Sequence, residues 1–294
     1  MKSVEEDLIR HLQSQQALRE QEKAKSKSLS FAGKLGGAGL LLGLVWKFKV
    51  FLLVALTKLK VLLVGAKFLG IGKFLLSGGS MIASVWLYAT VWGFPYALGF
   101  VLLIFVHEMG HVLALRWRHV AGTVPVFIPF VGAFVALKEM PKNAQVEAEV
   151  SLAGPLLGTV GALFCQALFW VSGNPLYLSL AYVGFFLNLF NMLPVLPLDG
   201  GRVVGAISPK LWAVGLILCA VFLFVRPNLI LLILVALSLP RFFSLWKMSP
   251  GEADYYHVPA RSRLILSSVY FGLAALLGVL MVESHQTLQA FLAL

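Results

Sequence analysis

The sequence predicts an all-α polytopic membrane protein of six to eight transmembrane helices, with a small membrane-associated β element placed after one of the early helices. Three observations lead there. Of the 294 residues, 59% are hydrophobic and only 13% charged, too little polar surface to clothe a soluble domain. Several apolar runs approach the ~20 residues that a helix needs to cross the hydrocarbon core of a bilayer. The basic residues behind the net charge of +11 lie between those runs and not among exposed aromatics on a polar surface, so they fit membrane topology and exclude a nucleic-acid partner.

Residues 1–30 hold six Lys/Arg and five Asp/Glu, a polar segment suited to a short solvated helix or a tail; MKSVEEDLIRHLQ lacks the apolar core and cleavage site of a secretory signal. In residues 31–78, Lys47, Lys49, Lys58, Lys60 and Lys67 interrupt the apolar pattern. On a helix, Lys49, Lys60 and Lys67 project from nearly one side, which suits a helix lying in the membrane interface; a single crossing between Lys34 and Lys58 with snorkelling lysines is the alternative. Residues 79–205 form a transmembrane core. Its first two apolar runs, 80–94 and 96–115, are separated by Gly93-Phe94-Pro95 and read as a helical hairpin ending at Arg116 and Arg118. Residues 123–150, with Pro125, Pro129 and Gly132 among β-branched and aromatic residues, read as short strands and turns followed by a polar helix. Spans follow at 151–171 and 177–193, and then, in the additional C-terminal helices of 206–294, at 211–225, 228–240 and 264–282.

The connections at 116–150, 200–210 and 241–263 carry four, two and four Lys/Arg, whereas 172–176 and the tail after 283 carry none. By the positive-inside rule the N-terminus and those three loops are cytoplasmic and the C-terminus is outside, Arg226 being the exception. No internal repeat and no appended soluble domain is legible. Cys165 and Cys219 fall inside apolar runs as small buried hydrophobes without a role.

The chemistry sits in Phe105-Val106-His107-Glu108-Met109-Gly110-His111. Here HExxH lies inside an apolar helix, where four-residue spacing puts both imidazoles on one face as two zinc ligands. Glu108 is then placed to take a proton from water at the metal and deliver it to a leaving amine. Two satisfied core histidines beside a glutamate are the plain alternative, disfavoured by the cost of ionisable groups at membrane depth. His111 precedes Arg116 by five residues, which sets the metal ~8–14 Å below the cytoplasmic interface at ~1.5 Å rise per residue. His11, His119, His257 and His285 are isolated.

Catalytic zinc normally takes three protein ligands and keeps one open position. Between residues 31 and 250 the acidic residues are Glu108, Glu139, Glu147, Glu149 and Asp199, and Asp199 alone closes an apolar span. Taken without the histidines, an Asp-Gly turn at a membrane boundary would explain it better than a metal ligand. Its surroundings argue for more: Asn188-Leu-Phe-Asn191-Met-Leu-Pro194-Val-Leu-Pro197-Leu-Asp199-Gly200-Gly201-Arg202 combines two amides, two prolines and a turn, an unwound backbone tolerated at depth only when buried or lining a wet cavity.

Together HEMGH and NMLPVLPLDGGR resemble the two signatures, HExxH and a later NxxPxxPxDG, of the site-2 protease family of intramembrane zinc proteases, over roughly residues 95–205. The resemblance implies zinc held by His107, His111 and Asp199, with Glu108 catalytic. It also implies that Asn191 steadies the substrate or the oxyanion, against the alternative of an amide bonded across helices. The β element at 124–137 occupies the place where the family receives an unwound substrate strand, against the alternative of a packing loop. Gly154 and Gly158, in small-xxx-small spacing, are packing residues. The expected activity is peptide-bond hydrolysis of a transmembrane protein or a signal-peptide-derived helix within the lipid bilayer. The rival from another class is a zinc-containing membrane chaperone or transporter without proteolysis, against which the retention of Glu108, useless as a ligand, speaks.

Overall fold

A computed structural model describes residues 72–129, 132–244 and 250–292. The expectations for residues 1–30 and for the Lys-rich stretch up to residue 71 lie outside the described residues. Helix α1, Gly72–Trp92, runs through Gly78 and Gly79 without a break and ends at Gly93, whose φ of 82° lies in the left-handed region that a glycine adopts without steric cost. Pro95, at the start of α2 (Phe94–Trp117), pre-sets the next helix at a position where its missing N–H costs nothing. An aromatic cluster of Tyr88, Trp92, Tyr96 and Phe100 locks this corner, with Tyr88 stacked on Trp92 and edge-on to Phe100 at 5.2 Å each. The anticipated hairpin is thus present.

After α2 the chain reverses at His119 (φ 56°) into an antiparallel pair, β1 (Val126–Ile128) and β2 (Gly132–Phe134), in the register Val126 to Phe134, Phe127 to Ala133 and Ile128 to Gly132. A bridge from Gly122 to Leu137 extends it. The Phe127 N–H donates outward to Ser80 Oγ of α1 at 3.1 Å, and the Phe127 ring stacks on Phe105 of α2. The β element is therefore fastened to the helices on its β1 side.

Helix α3, Ala144–Ser172, merges the expected polar helix and the span at 151–171 into one rod of 29 residues. Asn143 caps it by accepting from the Val146 N–H at 3.0 Å, and the polar first turns simply continue into the apolar ones. Gly173, at φ 67°, ends it. Helix α4 spans Pro175–Asn191; after an irregular loop come α5 (Asp199–Ile207), α6 (Leu211–Val225), α7 (Leu229–Ser244), α8 (Pro250–Tyr255) and α9 (Ala260–Leu292). Residues 200–210, expected as a loop, are thus mostly helix α5, because packing supplies what a glycine-rich segment lacks in helix propensity. Likewise α9 runs well beyond the anticipated 264–282.

Helix α3 lies between α2 and α4, and small residues let it pass. A Cβ at Gly110 would strike the Ala153 carbonyl, and one at Gly184 would lie 2.8 Å from the Ala162 methyl. Phe185, Ala162, Leu273 and Leu277 belong to one core cluster that joins α3, α4 and α9. Large apolar side chains such as Phe164, Trp170, Ile217 and Phe224 point outward, while Glu108, Thr159, Gln166 and Asn188 are buried. That arrangement inverts a water-soluble protein and belongs to an integral membrane protein. Among the described residues, Phe94–Trp117, Ala144–Ser172 and Ala260–Phe291 are long and apolar enough to cross a membrane, and Pro175–Asn191, Leu211–Val225 and Leu229–Pro240 are shorter apolar helices.

Because α3 and α4 meet through Gly184 and Ala162, Gly184→Val is expected to force these helices apart and destabilise the bundle by about 1–3 kcal/mol. Reversible unfolding in mixed detergent micelles measures it.

Candidate metal centre

The four-residue spacing on α2 does what helix geometry requires. His107 and His111 are both buried on the face turned to α3, with their Nε2 atoms 3.2 Å apart. Asp199, the first residue of α5, brings its Oδ2 to 3.2 Å from His107 Nε2 and 3.3 Å from His111 Nε2. Three donor atoms separated in this way match the edge, ~3.3 Å, of a tetrahedron with bonds of ~2.0–2.1 Å, the geometry of zinc held by nitrogen and oxygen. Among the described residues, this is the one group of three or more His, Cys, Asp or Glu able to hold a metal ion.

The far side of each imidazole is tied down. His107 Nδ1 lies 2.8 Å from Asn188 Oδ1, and because the Asn188 amide nitrogen already donates to the Gly184 carbonyl at 2.7 Å, its oxygen is left to accept. His111 Nδ1 lies 2.9 Å from the Val150 carbonyl, which can only accept. Both Nδ1 atoms therefore carry hydrogen, and both Nε2 lone pairs face Asp199. This is the arrangement that fixes tautomer and ring orientation around a metal.

Helix α3 supplies space as well as the Val150 carbonyl. A Cβ at Gly154 would collide with both imidazoles, and one at Gly158 with the Asn188 amide. The small-xxx-small pair expected to serve helix packing thus packs against the histidines and their partner. Asp199 is delivered by the loop Met192–Leu198, which contains a cis peptide at Leu196-Pro197. Tyr270 of α9 donates to the Met192 carbonyl, and Trp212 Nε1 donates to the Gly201 carbonyl at 2.6 Å.

Glu108 is buried beside the histidines and takes a backbone hydrogen bond from Val135, just past β2. It shares with His107, His111 and Asp199 a cavity of about 920 Å³. Residues 132–135 form one wall, and Phe222 and Leu231, from α6 and α7, line another. Asn191 also lines this cavity, but its amide donates to the Leu187 carbonyl of its own helix at 3.1 Å, not across helices. Sequence reasoning passed over Asn188, one turn earlier, although an amide at membrane depth has to find a buried partner, which was the available signal.

No family model matches this chain. Over 124 residues it is 28% identical to a zinc metalloprotease of Methanocaldococcus jannaschii, a match covering 40% of this chain and 35% of the relative. Over 155 residues it is 30% identical to Rip3 of Mycobacterium tuberculosis, which also bears a zinc metalloprotease name, covering 43% of this chain and 39% of the relative. The chain thus spans about a third of the length of the curated relatives it matches. The solved structure of a site-2 protease from Methanocaldococcus jannaschii superposes at a TM-score of 0.38 with 20% identity, covering 61% of this chain and 87% of the other, too loose a likeness to argue from.

Loss of the Asn188 carbonyl should free the His107 ring. Asn188→Leu is expected to weaken metal binding by about 10–100-fold, read by competition with a chromophoric chelator.

Proposed function

We propose that this chain is an intramembrane zinc metalloprotease of the site-2 type, which hydrolyses peptide bonds of transmembrane or signal-peptide-derived helices. One observation carries the reading: Asp199 Oδ2 and the two Nε2 atoms converge within 3.3 Å, beside a buried glutamate, inside a bundle whose outer surface is apolar. The zinc metalloprotease names of relatives matched at 28–30% identity support it. When bound by His107, His111 and Asp199, zinc supplies Lewis acidity that polarises the scissile carbonyl and makes water acidic enough to attack at neutral pH.

The protein's own groups do the rest. Glu108 accepts the proton that the attacking water loses and passes it to the departing amine. Its neighbour Val135 belongs to an edge whose backbone directions can be worked out. Thr123 N–H donates to the Ala136 carbonyl, Ala136 N–H to Thr123 Oγ1, and Lys138 N–H to the Ala121 carbonyl, so even-numbered residues turn their polar groups toward the preceding strand. Ala133, Val135 and Leu137 consequently direct theirs into the cavity they line. The Val135 N–H already serves Glu108, but at the Val135 carbonyl and the groups of Ala133 and Leu137 a substrate segment unwound from its helix would find pairing partners, in an extended form that exposes its peptide bonds. Asn191 lines the same cavity, and rotation off the Leu187 carbonyl would aim its amide at a substrate oxygen.

In this reading α1, α2, α3, α4, α6, α7 and α9 are seven spans, within the six to eight expected. Arg116, Arg118, Lys138, Lys142, Arg261 and Arg263 mark the cytoplasmic side, where the N-terminus also lies.

The deciding experiment measures zinc content and cleavage of a panel of transmembrane peptides by purified protein in detergent. Wild type is expected to hold about one zinc and cut; Glu108→Gln to keep zinc with turnover reduced by at least ~100-fold; and Asp199→Ala to lose the metal. Cleavage by Glu108→Gln at the wild-type rate would sink the mechanism, and a membrane chaperone or transporter would retain its function in that variant.

A further inference from the structure

Helix α5 has little of its own to keep it folded. Three of its nine residues are glycine, each costing about 1 kcal/mol against alanine in a helix interior. Its N-cap, Leu198, offers no side-chain hydrogen bond to the first turn. Nine residues also fall short of the ~12–15 at which an isolated helix becomes even marginal in water. Yet its first residue is Asp199, whose carboxylate oxygen must stay within 3.3 Å of two imidazole nitrogens. Stability has to be imported.

Part of it comes through the backbone. Gly200 and Gly201 press on the backbone of Met192, Leu193 and Val195, and Trp212 holds the Gly201 carbonyl. The side-chain contribution comes from Arg202, three residues beyond Asp199 and therefore on the same face of the helix. Arg202 Nη1 donates to Glu147 Oε1 at 3.2 Å, and the other oxygen of that carboxylate accepts from the Tyr255 hydroxyl at 2.8 Å. Burial and the Glu147 charge push the Tyr255 hydroxyl well above its ordinary range, so it remains a donor. Glu147 lies in the first turn of α3, and three residues further along that helix the Val150 carbonyl holds His111 Nδ1. One carboxylate thus ties the helix that orients His111 to the helix that presents Asp199, and a tyrosine from α8 completes its coordination.

We propose that Glu147, Arg202 and Tyr255 form a positioning triad that holds Asp199 against His107 and His111 and thereby sets the affinity of the centre for its metal. The proposal rests on the metal-centre reading given above. Arg202 and Tyr255 bond to Glu147, not to the donor atoms, and the three act through the placement of α5 on α3. An exposed ion pair alone would contribute little. Here the Glu147 side chain is only 16% exposed and both of its oxygens are engaged, so removing one partner leaves a largely buried charge short of a bond.

The test uses the full chain in detergent. Zinc affinity is measured by competition with a chromophoric chelator for wild type, Tyr255→Phe, Glu147→Gln and the double variant, and the unfolding temperature of each zinc-free protein is read separately. Tyr255→Phe and Glu147→Gln are expected to weaken zinc binding by about 10–100-fold while the zinc-free proteins still fold, with only a modest fall in unfolding temperature, and the double variant to be no weaker than Glu147→Gln alone. Affinities within about twofold of wild type, or fully additive losses in the double variant, overturn the triad. If Glu147→Gln does not fold, Tyr255→Phe, which deletes one hydroxyl, decides by itself. A wild-type protein without zinc affinity overturns the metal-centre reading and the triad with it, an outcome distinct from zinc-binding variants that match wild type.

Discussion

Two imidazoles and a carboxylate meet within 3.3 Å inside an apolar helical bundle, and most of the surrounding architecture exists to make that meeting tolerable. Polar groups removed from water are costly unless each hydrogen-bonding position is taken. The outer nitrogens are taken by Asn188 and the Val150 carbonyl, and the inner ones face a carboxylate. That solution requires α3 to approach α2 closely enough for its backbone to touch a ring, which explains why glycine stands at 110, 154 and 158. It also requires Asp199 to arrive on a helix that could not stand alone.

The elements that the sequence disclosed are those governed by local rules. The four-residue interval between His107 and His111 is a property of any helix, and Gly93 with Pro95 marks the corner between α1 and α2 from residue types alone. The apolar run 211–225 coincides with α6 because it is bounded by Lys210 and Arg226. Asp199 could be approached by elimination among the few acidic residues and by its unwound context, and the geometry now brings it to the histidines.

What stayed hidden depends on partners distant in the chain. Nothing near Asn188 announces that it will face His107, 81 residues earlier. Helix α5 escaped notice because its glycines speak against a helix, and only contacts with Trp212, Glu147 and the loop at 192–195 reverse that preference. Gly154 and Gly158 were visible as a packing pair, but what they pack against was not, since small-xxx-small spacing is indifferent to whether the neighbour is another backbone or a ring. Asn191 drew attention by its place in the motif, whereas its hydrogen bond runs to its own helix.

One further consequence concerns the lipid. Helices α6 and α7, which wall one side of the cavity, span 15 and 16 residues, so each reaches only ~23–24 Å at ~1.5 Å per residue, against a hydrocarbon core of ~30 Å. In the proposed topology, where both cross the bilayer, lipid beside this pair thins to meet it, at a cost that rises with every ångström of mismatch. On that topology the thickness of the host membrane acts as a mechanical load on the cavity wall. The same chain carries a different load in a short-chain bilayer than in a sterol-rich one, without any change in its own residues.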